Sequence, residues 1–349
     1  MKVSKKKKMQ FFAMGAGTVL AIVLLIFAIF GSRTKNCDPM VVYLDEDAST
    51  AAAKEYLDQC GVKPSGFAFK TIAMAKNRGR KAAPFRCGRY VIEPHTTVFA
   101  LVRKMANGQQ DPMRLTLKKY RTKEQLAAYV GAQLRMAPEE MLWALCDEAA
   151  LAPLGLNSTT VMTIFIPNTY EVYWTISPEA LLKRMRSESD KFWTGRRKSA
   201  AEAMGMTTEE VVVLASIVEE ETNKNDEKPL IASVYLNRLR KGMRLQACPT
   251  ICYMNGYRIN RVLMSHIMVD SPYNTYKYKG IPPGAICNPG FDSLSAAIYP
   301  DNPLNEEGEP INAYFFVSNK AGVFYYAETS AGHEKNKLQA AKDNANYEN

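Results

Sequence analysis

The stretch MTTEEVVVLASIVEEETNKNDEKPLIASVYLNRLRKGMRLQACPTICY, Met206 to Tyr253, reads as two helices that meet beside three consecutive carboxylates. Thr207 and Glu210 stand three apart, the spacing at which each side chain satisfies a free backbone N–H at a helix start. Val211, Leu214, Ala215 and Val218 then recur at helical period and predict one apolar face. That face runs into Glu219, Glu220 and Glu221. A second helix is expected to open near Pro229, whose missing N–H costs nothing at a first helical position. Ile231, Val234, Tyr235 and Leu239 give its stripe, and Gly242 gives its stop.

A helix turns about 100° per residue, so three consecutive carboxylates cannot all enter one pocket. Glu219, four residues after Ala215, falls on the margin of the buried face. Glu220 is expected to meet water, and Glu221 to reach the other rim of any pocket. A carboxyl beside apolar surface, near the negative end of a helix dipole, is expected to hold its proton more tightly than a free one. A general acid at neutral pH needs that property. A solvated acidic helix end gives the same pattern, and the carboxylates alone do not separate the two readings.

A resemblance separates them. Leu214-Ala-Ser-Ile-Val-Glu-Glu-Glu-Thr222, Ala232-Ser-Val-Tyr-Leu-Asn-Arg-Leu239 and Met243-Arg-Leu-Gln-Ala-Cys-Pro-Thr250 resemble the YceG-like family of endolytic murein transglycosylases. Ser271-Pro-Tyr-Asn-Thr-Tyr276, Gly280-Ile-Pro-Pro-Gly-Ala-Ile286 and Asn288-Pro-Gly290 resemble the same family's later signatures, in the same order. The resemblance runs from about Tyr43 to the C-terminus. Phe165-Ile-Pro-Asn-Thr-Tyr170 departs from it, with Asn168 where the family's block is usually read with Asp. An amide there has no charge to offer, while hydrogen bonding to sugar hydroxyls survives the change.

The resemblance implies a reaction. In a lytic transglycosylase the 6-hydroxyl of MurNAc attacks its own anomeric carbon, so no water is consumed. Glu219 would first protonate the glycosidic oxygen between MurNAc and GlcNAc, then act as base toward the 6-hydroxyl, leaving a 1,6-anhydro ring. Gln246 and Thr250 match family positions and would hold an N-acetyl or hydroxyl group. Tyr273, Asn274 and Tyr276 offer flat faces and amide dipoles to sugar rings. Glu221 and Asn237 would orient the acid or line the pocket. Two rivals remain open: a non-catalytic peptidoglycan-binding scaffold, and an ordinary hydrolase that leaves reducing ends.

The N-terminus sets the compartment. Met1 to Ser32 contains no acid; Lys2 and Lys5 to Lys8 precede an uncharged, largely apolar run from Met9 to Ser32. About 20 such residues cross a hydrocarbon core as a helix. No small-x-small cleavage site follows the run. Five lysines before it, against Arg33 and Lys35 after it, predict a cytoplasmic N-terminus and a periplasmic or other extracytoplasmic remainder, held in the inner membrane by a single pass. Setting those five lysines aside takes the chain from +10 to 40 basic against 35 acidic residues, or +5. A mildly basic ectodomain suits an anionic wall polymer. The basic clusters Lys118-Lys119 and Arg196-Arg197-Lys198 lack interleaved aromatics, which excludes nucleic acid as a partner and reads them as solvated faces.

The other motifs assign no further chemistry. His95, His266 and His333 have no metal-ligand spacing, so no metal and no cofactor is expected. Cys248 and Cys252 are the one close pair among seven cysteines, and zinc sites bring four ligands.

At 349 residues and 47% hydrophobic content, the chain suits two or three globular domains. Strands at Met40–Leu44, Arg89–Ile92 and Met113–Leu117 alternate with helices starting at Ser49, Phe67 and Thr97. A long helix is expected from Ser177-Pro178 to about Met204, a hairpin over Ala313–Ala327 turning at Asn319–Gly322, and a fraying tail after Glu334. The fold class is therefore α+β, with the following divisions: a basic tail over 1–8, a transmembrane helix over 9–32, a small α+β subdomain over 38–133, a helical linker over 134–160 and a catalytic domain over 161–349. The resemblance makes the first subdomain LysM-like and implies wall synthases in the same membrane as partners.

Overall fold

The computed structural model describes residues 5–76, 84–259, 262–305 and 307–347. The chain folds as two compact units: residues 1–114 with 171–176, and 115–170 with 177–349. It is mixed α and β, and the sheets among the described residues are all two-stranded.

The first unit opens with α1 (Lys5–Phe30). Its described side chains from Met14 onward are almost all exposed, including Val19, Leu20, Ile22 to Ile26 and Phe27, while Ile29 joins the unit's core. The expected spanning run begins among side chains outside the described set, and among the described residues no helix is long and apolar enough to cross a membrane. Next come β1 (Met40–Leu44), α2 (Thr50–Gln59), α3 (Gly66–Lys76), β2 (Gly88–Ile92), α4 (Val98–Ala106) and the start of β3 (Met113–Thr116). Ser49 and Thr97 cap α2 and α4 through their hydroxyls. β1 and β2 pair antiparallel with Val42 opposite Tyr90. Val42, Leu57, Phe69, Phe85 and Tyr90 fill the core, with the rings of Phe69 and Phe85 stacked at 5.2 Å.

The second unit carries the decisive stretch. Its helices are α5 (Lys123–Gln133), α6 (Pro138–Ala144), α7 (Glu148–Leu151), and then, after β4 (Thr169–Val172), α8 (Pro178–Phe192), α9 (Arg196–Ala203), α10 (Thr208–Glu221), α11 (Lys228–Arg240), α12 (Cys248–Met254), α13 (Met264–Ile267) and α14 (Phe291–Ile298). A hairpin of β5 (Phe315–Ser318) and β6 (Phe324–Ala327) precedes the last helix, α15 (Ser330–Tyr347). The predicted long helix from Ser177 breaks at Gly195, whose φ of +49° ends one helix and starts the next. Likewise, the stretch from Pro138 is several short helices. The tail does not fray: α15 packs on the hairpin, buries Ala340, and lets Asn336 donate to the Tyr326 carbonyl at 2.9 Å.

The predicted ends of α10 and α11 hold. Thr207 and Glu210 cap each other reciprocally at 3.1 and 2.8 Å. Pro229 lies in the first turn of α11, and Gly242 follows its end at φ +65°. The one-faced burial of α10 does not hold: every residue from Val211 to Val218 is buried, so the helix runs through the core. α14 packs on both α10 and α11, and Ser216, the polar residue in this run, donates to the Val213 carbonyl and accepts from the Ile286 N–H.

Leu214 is fully buried in this core. Truncation to alanine should cost about 2–5 kcal/mol of unfolding free energy by denaturant titration, whereas Thr207→Ala, which removes a cap, should cost about 1 kcal/mol.

Candidate active site

α10 ends in a cleft of about 370 Å³ whose walls include Lys119, Arg121, Glu219, Glu220, Glu221, Lys224, Ser318 and Phe324. Because the helix behind them is fixed on all sides, the three carboxylates leave its end in fixed directions, and each meets a different environment.

Glu219 has a side chain only 13% exposed. Its Oε2 accepts a hydrogen bond from the Ser293 hydroxyl on α14 and lies 3.3 Å from the Nζ of Lys228, a buried lysine at the start of α11. Its Oε1 faces Lys119 Nζ at 3.6 Å. Burial by itself would raise the carboxyl's pKa; the Ser293 hydroxyl and the two ammonium groups outweigh it and hold the group below its ordinary value. The expectation that Glu219 holds its proton tightly is thereby overturned. The apolar surface is there, but cations that sequence periodicity does not reveal reverse its effect.

Glu220 does not meet water. Its side chain is 5% exposed and lies in a bidentate pair with Arg121, at 3.1 Å from Nε to each oxygen and 2.8 Å from Nη2, with Lys119 at 3.4 Å. Arg121 in turn lies over the Tyr257 ring at 4.6 Å. Lys119, read from the sequence as part of a solvated cluster, is a wall of the site.

Glu221 ends in the interior. Its carboxyl accepts from the hydroxyl of Tyr235, itself buried, and burial lifts it to about 7 against the opposing pull of that hydroxyl and of Arg238. Arg238 is held by the carbonyls of Leu245 and Tyr314, both at 2.6 Å.

The segment bearing Lys119 and Arg121 is positioned by Asn288. This buried asparagine accepts from the Tyr120 N–H at 2.6 Å and donates to the carbonyls of Lys118 and Phe165 at 2.8 and 2.9 Å. The Asn168 carbonyl accepts from Leu117 N–H at 2.9 Å, while its side chain caps the following Thr169 N–H. Two signature blocks of the sequence therefore serve the site as clamps. Lys224 closes the far edge by donating to the Gly322 carbonyl at the hairpin turn, 2.7 Å away.

Several predicted binding residues lie elsewhere. Thr250 and Asn274 are fully buried: Thr250 meets the Thr275 hydroxyl at 2.9 Å, and Asn274 donates to the carbonyls of Ile267 and Val269 at 2.8 and 2.6 Å. They brace the loop and have no surface to offer a sugar, which corrects the direct-contact reading of both. Asn237, also buried, donates to the Ala313 carbonyl at 3.2 Å and is not among the residues that line the carboxylate cleft. Gln246 is exposed in a left-handed conformation with φ +51°, and the Tyr276 hydroxyl meets the Cys248 thiol at 3.1 Å. Tyr273 packs on Tyr253 at 4.7 Å and lines a separate cavity of about 560 Å³ with Arg121, Thr122, Ser158 and Thr159. Of the residues singled out beforehand, Glu219 and Glu221 line the carboxylate cleft. Lys119, Arg121, Lys228 and Ser293 were missed; only Lys228-Pro229, at the start of a helix facing α10, carried a local signal.

A carboxyl whose folded pKa is raised binds its proton more tightly when folded, so its contribution is fully present below the unfolded value near 4.5 and is lost as pH rises through about 7. Thermal unfolding of the wild type should therefore fall in midpoint over that window relative to Glu221→Gln, and the difference between the two should flatten above it.

Fold and cleft define a class: an α+β protein whose buried central helix delivers a carboxylate cluster into a cation-lined groove. The chain belongs to the YceG-like family, whose profile matches residues 42–339. It is 26% identical over 312 residues to a protein of Bacillus subtilis (strain 168) named endolytic murein transglycosylase, across 85% of this chain and 83% of that one. A protein of the same name from Streptococcus pneumoniae serotype 2 is 26% identical over 329 residues, and there the match spans 57% of the relative's length. A crystal structure of a yceG-like protein from Listeria monocytogenes superposes with a TM-score of 0.55 at 26% identity, covering 86% of this chain and 99% of that one.

Proposed function

We propose that the chain is an endolytic lytic transglycosylase that cleaves the MurNAc-GlcNAc β-1,4 bond of nascent peptidoglycan, leaves a 1,6-anhydroMurNAc end and so terminates strand elongation. The observation that carries this reading is Glu219, a carboxyl in a cleft of about 370 Å³, held by Ser293, Lys228 and Lys119. The relatives' printed name supports the same chemistry.

The reaction needs the bond between the MurNAc anomeric carbon and the bridging oxygen to break and a bond from the 6-oxygen to that carbon to form. The protonated form of Glu219, which Lys228 and Lys119 disfavour at rest, gives its proton to the leaving GlcNAc oxygen as that bond breaks. The carboxylate so formed balances the positive charge that grows on the anomeric carbon and takes the proton of the attacking 6-hydroxyl, which restores the acid without consuming water.

The rest of the reading concerns placement. The exposed apolar side chains along α1, followed by a core-anchored Ile29, support an N-terminal membrane anchor with the folded units on the extracytoplasmic side. The pairing of β1 and β2 around two intervening helices supports a LysM-like role for the first unit in holding glycan. Wall synthases in the same membrane would be the partners that supply nascent strands.

Digestion of purified peptidoglycan by the full chain in detergent should yield anhydro-muropeptides, lighter by one water than hydrolase products, and Glu219→Gln should lower their formation about 100-fold or more. Mass spectrometry reads both. Identical products from wild type and variant would favour the scaffold, and reducing ends would favour a hydrolase.

A further inference from the structure

The carboxyl of Glu219 is held differently at its two oxygens. Oε2 accepts from the Ser293 hydroxyl on α14 and lies 3.3 Å from the Lys228 ammonium. Both groups are buried, Ser293 completely, and neither is among the residues that line the carboxylate cleft. Gly290, just before α14, backs the same oxygen: a Cβ built there would stand 3.5 Å from Oε2. Oε1 has Lys119 at 3.6 Å, beyond hydrogen-bond length, and Lys119 does line the cleft.

The last torsion of a glutamate side chain turns in a broad, roughly two-fold well, so the residue itself does not choose which oxygen meets a ligand. The two donors behind it make that choice. A lysine ammonium can only donate, and a serine hydroxyl beside a carboxylate donates as well. With both aimed at Oε2, the proton of the acid form sits on Oε1, the oxygen on the side of the cleft.

We infer that Ser293 is a positioning residue: its hydroxyl fixes Oε2 of Glu219, so that Oε1 is the oxygen that gives a proton to the leaving GlcNAc oxygen and takes one from the 6-hydroxyl. The inference rests on the transglycosylase reading and names the oxygen through which it works. Ser293 suits the task better than Lys228 because a hydroxyl bond is directional, whereas an ammonium is a compact point charge with rotatable donors. Ser293 also stands in the first turn of α14, which packs on both α10 and α11. Donor and carboxyl are therefore carried by neighbouring helices of one core.

The charged and titratable groups set against Glu219 are Glu220 on its own helix, Lys228 from α11, Lys119 from the 118–121 segment and the Cys287 thiol from the loop before α14. The two lysines favour the carboxylate, as does the Ser293 bond. Removing a hydrogen bond made to the charged form raises the pKa. Loss of the Ser293 hydroxyl thus frees the carboxyl to turn and also moves its titration up.

The test is the pH dependence of kcat and KM for anhydro-muropeptide release by the full chain in detergent. The acid form is the active one, so the wild type should lose kcat as pH rises through the titration of Glu219. Ser293→Ala should lower the acid-side plateau of kcat roughly 10- to 100-fold, leave KM unchanged and move the inflection to higher pH. Ser293→Cys, whose thiol is a weaker donor, should fall between the two in both respects, and it decides the matter should the alanine variant not fold. A folded Ser293→Ala with the wild-type plateau and inflection would overturn the assignment. So would a lower plateau at an unmoved inflection, the mark of a packing defect alone, or a loss confined to KM. An inactive Glu219→Gln beside an unaffected Ser293→Ala sinks this inference and leaves the transglycosylase standing, whereas unaltered products from Glu219→Gln sink the transglycosylase itself.

Discussion

The burial of α10 on every side is the constraint from which the site follows. Eight consecutive residues, Val211 to Val218, lie inside the second unit, so the helix can neither roll nor slide without opening core on all flanks. A side chain at its end inherits that rigidity. Three carboxylates at successive positions therefore emerge in three fixed directions about 100° apart, toward α11 and α14, toward the 118–121 segment, and back into the interior. Preorganisation of this kind is what lets a charged group act without reorganising during the reaction.

Electrostatics then distinguish residues that are chemically identical. A buried carboxylate without partners would take up a proton. Lys228 and Lys119 oppose that at Glu219, and nothing of comparable strength opposes it at Glu221, while Glu220 is paired with Arg121 and Lys119. These cations are themselves held: Lys228 by the start of α11, and Lys119 and Arg121 by the Asn288 clamp, which reaches from beyond residue 280 back to 118 and 165. The ionic pattern of the cleft thus depends on contacts between segments more than a hundred residues apart.

Much of the local structure was legible from the sequence because its causes are local. The capping pair Thr207 and Glu210, the proline opening of α11, the turn at Asn319–Gly322 and the caps at Ser49 and Thr97 are satisfied within a few residues. The errors share the opposite origin. Periodicity gave α10 one buried face because nothing local showed that Val212, Val213 and Ile217 would be covered as well. Lys119 read as solvated because the carboxylates it faces lie about a hundred residues away. Thr250 and Asn274 read as sugar contacts because hydroxyl and amide groups suit sugars as well as they suit the backbone carbonyls they in fact meet.

By itself, then, the sequence determined which residues form helices, where they start and stop, that three carboxylates end the central one, and to which family the chain belongs. Those follow from short-range sterics, from hydrogen bonding and from the order of several motifs. Tertiary structure alone decided which neighbours each carboxylate meets. Proton affinity depends on the charges and the solvent within a few ångströms in space, and here the groups that set it come from four separate stretches of chain.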